Sequence, residues 1–431
     1  MAMQRFRRPW WLSNGLGFAL GAFPLAKVPG LGVPVVLGLT AAIALAALTR
    51  RPDVDRVLPI EVAIVALIGV SAFSAAANIG GLMDLRLFVQ WDAATSITVI
   101  LLRLSRERLM QCGRWFVGGA TVGAAVGLLQ MFSALPAVVV RAFEILGYPA
   151  SVFSSEIYAT GADRGIHRLT GPFGHPNSAA VLLLVALLIA VVAYTGWLRA
   201  GLVVFLLAAT GLTVSRAIGL SLIAAAIVLI VFQSRGRTAR LAIGGTLLAG
   251  AAAAFAVPAV RARILGSFTS SDVGSSARWQ ALVDYPQVMN GHWLFGVGWG
   301  RKQFWDPTTG YITNYVANAP LVAAYRGGIV VGLAFCVVLA FALVISYRAI
   351  RSGQWDAAIL GAGFIGFIVV GAELDHPIVT HPVSVSAFAL LLAFVADLSR
   401  RGDDESLPAL VTPGDDEDAR DQARDPAGHT R

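Results

Sequence analysis

Long apolar runs separated by short polar breaks pattern nearly the whole chain. A bilayer crossing needs about 20 apolar residues. Runs of that kind lie at 10–27, 31–49, 58–77, 86–103, 114–134, 177–196, 200–214, 217–233, 241–258, 319–346, 356–372 and 379–397. Pro24, Pro29 and Pro34 crowd the turn between the first two runs, and the seventh run is short. The pattern predicts an all-α, polytopic membrane bundle of about twelve transmembrane helices over residues 10–397. Two long polar intervals interrupt it, 135–176 and 259–318. The second is the longest in the chain and mixes charges with aromatics, among them Trp279, Tyr285, Trp293 and Trp299. Within the first, Ala137 to Leu146 reads as an amphipathic helix lying in the interface.

Charge sorts the breaks into two sets. Arg5/Arg7/Arg8, Arg50/Arg51/Arg56, Arg103/Arg106/Arg108, Arg199, Arg235/Arg237/Arg240, Arg348/Arg351 and Arg400/Arg401 fall in short segments. By the positive-inside rule these are cytoplasmic. Both termini then lie inside: residues 1–9 as a cytoplasmic N-terminus, and 398–431 as a disordered cytoplasmic tail rich in Asp and Glu. Facing outward are the 135–176 loop, the turn around Ser215–Arg216, the large 259–318 loop and the 373–378 turn. The apolar run that follows Arg5–Arg8 looks like a signal peptide but lacks a clear cleavage site, so it is read as an uncleaved first helix.

Composition agrees. The chain is 57% hydrophobic and 13% charged, far from the roughly 25% charged of a soluble protein. The net charge of +8 sits largely at span ends and is a topology signal, so nucleic acid is not an expected partner. Lys27 and Lys302 are the only lysines; an Arg- and Ala-rich chain of this kind suggests a bacterial source. Cys112 and Cys336 are the only cysteines and make no disulfide framework. No Walker loop, HExxH motif or dense acidic cluster occurs, so neither metal nor cofactor is expected.

Five constellations carry candidate chemistry. In Thr213-Val214-Ser215-Arg216 a guanidinium stands at an outward turn between two spans, costly at that depth unless paired or wet. Arg278-Trp279 opens a helical stretch through Met289; His292 and the turn Gly296-Val297-Gly298-Trp299-Gly300 follow, where glycines let the backbone approach a ligand. Arg168-Leu169-Thr170-Gly171-Pro172-Phe173-Gly174-His175-Pro176-Asn177 precedes the sixth run. There Pro176 and Asn177 read as a helix entry, His175 reads first as structural, and Arg164 adds a cation. Asn318 leads the next run, with Arg326 about two turns in and Gly328/Gly332 as a close-packing pair. Glu373, Asp375 and His376, with His381, in the last outward turn read either as a carboxylate–imidazole group able to serve as a general base or as a solvated turn. Arginines gathered on one face suit phosphate oxygens, and the loop aromatics suit sugar rings.

The order of these segments, over roughly Arg164 to Gly332, resembles the O-antigen ligase and O-antigen polymerase superfamily of bacterial envelope proteins. The resemblance implies transfer or polymerisation of glycan from an undecaprenyl-diphosphate-linked donor to a hydroxyl acceptor on lipid or glycan. The reaction would run at the outer face of the cytoplasmic (inner) membrane, in contact with membrane lipids and other envelope polysaccharide assembly proteins. It implies Arg216 and Arg278 as the residues engaging the diphosphate. Arg164, Arg168, His175, Asn177, Ser215, Trp279, His292, Asn318 and Arg326 would line the substrate path. Ligases of this family place a His-Asn pair before the last motif. Here Ala317 precedes Asn318, so the base would come from Asp375, His376, Glu373 or His292, or the transfer would be polymerase-like. Two other readings stay open. One is a transporter or flippase, for which Asp92 within the fourth run is the best support. The other is a non-catalytic family member.

Overall fold

The computed structural model describes residues 10–30, 32–48, 57–78, 80–133, 135–153, 167–232, 238, 245, 261, 273–300, 316, 318–371 and 382–406. Among them the protein is all-helical, with fourteen α-helices and no strand. In chain order these are α1 (Trp10–Ala22), α2 (Val35–Leu48), α3 (Pro59–Asn78), α4 (Leu82–Leu102), α5 (Arg106–Phe132), α6 (Ala137–Ile145) and α7 (Pro176–Ala193). Then come α8 (Gly196–Leu212), α9 (Arg216–Phe232), α10 (Val273–Val288), α11 (Ala319–Gly327), α12 (Ile329–Arg351), α13 (Trp355–Gly371) and α14 (Pro382–Ser406).

Six helices are long and apolar enough to cross a membrane: α3, α4, α5, α7, α12 and the first part of α14. Four shorter apolar helices accompany them in α2, α8, α9 and α13. The protein is therefore a helical membrane protein by length and composition. Exposed side chains agree. On α9, Leu220, Ile223, Ile227 and Val231 form an uncovered stripe, and on α12 Val330, Leu333, Val337 and Val344 do the same. Apolar surface on that scale belongs against lipid. Of run 241–258, residue 245 alone is among the described residues.

Run 319–346 is not one helix. It breaks at Gly328, whose φ is +85°. A side chain there would collide with the Leu294 carbonyl, so only glycine lets the α10–α11 segment pass this close. The break separates α11, nine residues, from α12, 23 residues and itself long enough to span. The first run is also shorter than the pattern suggests. Helix α1 stops at Ala22, two residues before Pro24, because the residue preceding a proline is pushed out of the helical region.

Helix α7 is the centre of the bundle, apolar on every face and buried along nearly its whole length. A helix hydrophobic all round has to be enclosed by others, and α5, α8, α13 and α14 enclose it. Small residues let the surrounding helices approach. Gly17 and Gly21 of α1 lie against the backbone of α5 at Cys112, Phe116, Gly119 and Ala120. Gly366 of α13 lies against the Ser221 carbonyl of α9. In an apolar solvent such contacts supply dispersion energy that the hydrophobic effect cannot. At the end opposite the α3–α4 turn, buried Glu61 accepts from the Arg103 Nε at 2.5 Å and from the Leu58 N–H at 2.9 Å.

Gly21→Ala and Gly15→Ala separate packing from propensity. A Cβ on Gly21 meets Ala120 N at 2.5 Å, whereas Gly15 has nothing within 4 Å. Gly21→Ala should destabilise by about 1–3 kcal/mol. Gly15→Ala should be neutral or stabilising by up to about 1 kcal/mol. Thermal unfolding of the detergent-purified variants reads the difference; equal shifts would contradict the α1–α5 packing.

Candidate functional site

Two loop clusters organise the end of the bundle where α3 turns into α4 and α8 into α9. The first is built on α5. Its Gly123 and Gly127 leave room for Phe173 and for Leu169 with Gly171, and Leu169 and Phe173 are fully buried. Gln130 Oε1 accepts from the Gly171 N–H at 3.1 Å, while its Nε2 donates to the Val152 carbonyl at 3.1 Å. Residues 167–175 are thus pinned to the bundle before α7 begins.

His175 is the N-cap of α7. Its Nδ1 accepts from the Asn177 N–H at 3.1 Å, which satisfies one orphan donor of the first turn. Pro176 follows at N1, as expected. The structural reading of His175 thereby has a specific bond behind it. Asn177 Oδ1 accepts from Arg168 Nη2 at 3.0 Å.

Arg168 reaches across to the turn between α8 and α9. Its Nε donates to the Thr213 carbonyl at 2.8 Å and its Nη2 to the Val214 carbonyl at 3.5 Å. The Leu169 N–H donates to the Leu212 carbonyl at 3.0 Å. The turn it holds is unusual. Val214 has φ +49° and is the one non-glycine residue with positive φ among those described. A β-branched residue there is a steric outlier, costing about 1–3 kcal/mol. Ser215 and Arg216 follow at once. Arg216 is the first residue of α9 and is half-buried.

The second cluster surrounds the glycine-rich turn after α10. Ser74 Oγ and Asn78 Nδ2, from the end of α3, donate to the Phe295 carbonyl at 2.8 and 2.7 Å. Asn78 also reaches the Gly296 carbonyl at 2.9 Å. Asp84, in the first turn of α4, accepts from the Gly300 N–H through Oδ1 and from the Gly80 N–H at 3.2 Å through Oδ2. From the other side, Val297 N–H donates to the Tyr325 carbonyl at 2.7 Å and Gly298 N–H to the Arg326 carbonyl at 3.3 Å. Gly296 has φ +74°, and a Cβ there would meet Arg326 O at 2.5 Å. Trp299 is buried between Phe88 and Trp91, with ring centroids 5.5 and 4.6 Å away. The Arg326 guanidinium lies over its ring at 5.7 Å and donates through Nη1 to its carbonyl at 3.2 Å.

Asn318 is the N-cap of α11, its Oδ1 accepting from the Leu321 N–H at 3.1 Å. Helix α10 and the turn after it pack through Ala281, Tyr285 and Met289, all buried, and Tyr285 donates to the Leu321 carbonyl at 2.9 Å. Burial, with Tyr325 close by, pushes the Tyr285 phenol up to about 12. In the α10 sequence, Arg278 stands three residues before Ala281 and seven before Tyr285. Trp279 is 69% exposed, and His292 is also exposed.

The sequence-predicted residues thus divide. Arg168, His175 and Asn177 are joined in the first cluster, and Ser215 and Arg216 follow directly on the turn that Arg168 bonds; His292, Asn318 and Arg326 lie on the second, and exposed Trp279 lies on α10, beside it in sequence. Arg164, Asp375 and His376, with Glu373, lie outside the described residues. Sequence reasoning missed Ser74, Asn78, Asp84 and Gln130, which hold loop backbone rather than side chains. Their one visible signal is position: polar residues in the last or first turns of apolar helices. No protein-family model matches the sequence, and no curated protein matches it.

Asp84→Ala leaves the Gly300 and Gly80 N–H groups without their carboxylate acceptor. It should cost about 1–3 kcal/mol and increase proteolytic nicking within 290–300; nicking unchanged from the parent would show that the carboxylate does not hold the turn. Tyr285 gives a pH signature. An unfolded phenol titrates near 10, below the folded value, so the protonated form's contribution is complete below pH 10 and is lost as pH rises towards about 12. Tyr285→Phe should lower stability at neutral pH by about 1 kcal/mol through the lost bond to Leu321. It should also lose less stability than the parent between those values, as melting curves across pH will register.

Proposed function

We propose that this protein transfers or polymerises glycan from a polyprenyl-diphosphate donor to a hydroxyl acceptor at the outer face of the bacterial cytoplasmic membrane. In this reading both termini are cytoplasmic and the two loop clusters face outward. The observation that carries it is the placement of Arg216. A cation at the first position of a helix opposes the helix dipole. An anion there is favoured by the guanidinium and by the first-turn N–H groups together. Arg216 is half-buried at the end of two apolar helices, a depth suited to the phosphates of a lipid whose tail lies along the bundle.

In the reaction the acceptor oxygen attacks the anomeric carbon as the bond from that carbon to the diphosphate oxygen breaks. The bonding pair leaves with the lipid diphosphate, and the acceptor proton passes to a base. No redox step is involved. Arg216 and Arg278 stabilise the charge growing on the leaving diphosphate. Exposed Trp279, next in sequence after Arg278, offers an aromatic plane for a sugar ring. Asp375 and His376 are the proposed bases, since Ala317 precedes Asn318.

One observation favours a second reading, transport of a lipid-linked or anionic substrate. Asp92 in α4 has a buried carboxylate oxygen with no hydrogen-bond partner among the described residues, and ionisable groups within spans mark transport pathways.

Arg216→Ala and Arg278→Ala should each reduce surface glycan about 100-fold or more, with membrane levels of the protein unchanged. Normal glycan in either variant would remove that residue's role. Mass spectrometry of lipid-linked glycans in a deletion strain separates the reactions: single repeat units accumulate without a polymerase, full-length chains without a ligase. Movement of lipid-linked glycan across proteoliposomes without chemical turnover, abolished by Asp92→Asn, would replace this reading with the transport one.

A further inference from the structure

We propose that Arg168 is a positioning residue: its guanidinium latches the 213–216 turn into the conformation that presents Ser215 and Arg216. The proposal rests on the reading of Arg216 as a diphosphate contact, and it changes what Arg168 does in that site.

Val214 is held where a β-branched residue is disfavoured, at φ +49°. Left to local preference, it would return to negative φ and rotate the peptide that leads into Ser215. The turn's own bonds do not prevent this. Thr213 Oγ1 donates to Thr210 O at 2.6 Å and Val214 N–H to Gly211 O at 3.0 Å, but both tie the turn only to the end of α8. The bonds from Arg168 fix the turn to a different part of the bundle. They grip the Thr213 and Val214 carbonyls, on either side of the Thr213–Val214 bond and up to the peptide leading into Ser215, at 2.8 and 3.5 Å. The latch is itself anchored. Leu169 is fully buried against Gly127 of α5, and Asn177 holds Nη2 from the first turn of α7. Core, latch and turn therefore form one chain of contacts.

The chemistry requires arginine. A planar guanidinium directs Nε and Nη2 towards separate acceptors from a rigid fork, whereas a lysine ammonium is a single point on a flexible stem. Donors aimed at two carbonyls and an amide are aimed into protein rather than at a phosphate. The fork shape is what lets one side chain reach three acceptors.

A double-mutant cycle on the full-length purified protein tests the latch, with amide hydrogen exchange of residues 211–216 and glycan transfer as readouts. Arg168→Gln should speed exchange in the turn and lower activity about tenfold, the factor that one strained residue released to its preferred conformation can carry. Arg168→Lys should behave like Arg168→Gln. Glycine adopts φ +49° without penalty, so Val214→Gly alone should stay near the parent. Added to Arg168→Gln, it should recover most of the lost activity. A double variant as inactive as Arg168→Gln, or an Arg168→Lys variant near parental activity, would overturn the latch in favour of direct substrate contact. Exchange in Arg168→Gln indistinguishable from the parent would overturn it whatever the reaction. Full activity in Arg216→Ala would instead defeat the diphosphate reading, and the exchange result would still decide the latch.

Discussion

Backbone that leaves a helix at the end of an apolar bundle loses its helical hydrogen-bond partners and has to find others. In this protein neighbouring helices and loops supply them. Asn78 and Ser74 take the carbonyl of Phe295, Asp84 takes the N–H of Gly300, Gln130 takes the N–H of Gly171, and Arg168 takes the carbonyls of Thr213 and Val214. Each donor or acceptor sits in the loop ends or terminal turns of an apolar helix or beside one. The loops are consequently extensions of the bundle. Among the described residues, 167–175, 213–215 and 289–300 are held to the bundle by these bonds.

This constraint divides the arginines by task. Arg168 and Arg326 turn towards protein, one onto backbone carbonyls and one onto the ring and carbonyl of Trp299. Arg216, on the turn that Arg168 holds, stands at a helix start where an anion is favoured. Arginines that sit close together in this end of the bundle thus touch different things, and charge alone does not distinguish them. The glycine turn shows the same division. Gly296 and Gly328 allow two backbones to approach, and Trp299 fills the space beneath. The segment that looked suited to holding a ligand is here occupied by protein on both sides.

Much of the architecture is legible in the sequence because apolar runs of bilayer length have one stable form, the helix. The helices over 59–78, 106–132 and 176–193 follow from composition and from local caps such as His175-Pro176, whose bonds close within two residues. The break at Gly328 is not legible from its own neighbourhood: a Gly-Gly pair in an apolar run reads equally as close helix packing. It takes the Leu294 carbonyl, brought in from the preceding loop, to make glycine obligatory there.

The same boundary runs through the site. The chemical inventory, arginines at span ends and aromatics in the two polar intervals, is written in the order of residues. Which polar side chain meets which loop backbone depends on pairs far apart in the chain, such as Arg168 with Thr213, 45 residues on, and Asn78 with Phe295, 217 residues on. Hydrophobic length is a local property and can be summed along a segment. A hydrogen bond to a loop carbonyl needs a donor at about 3 Å in the right direction, and that meeting exists only once the helices have packed.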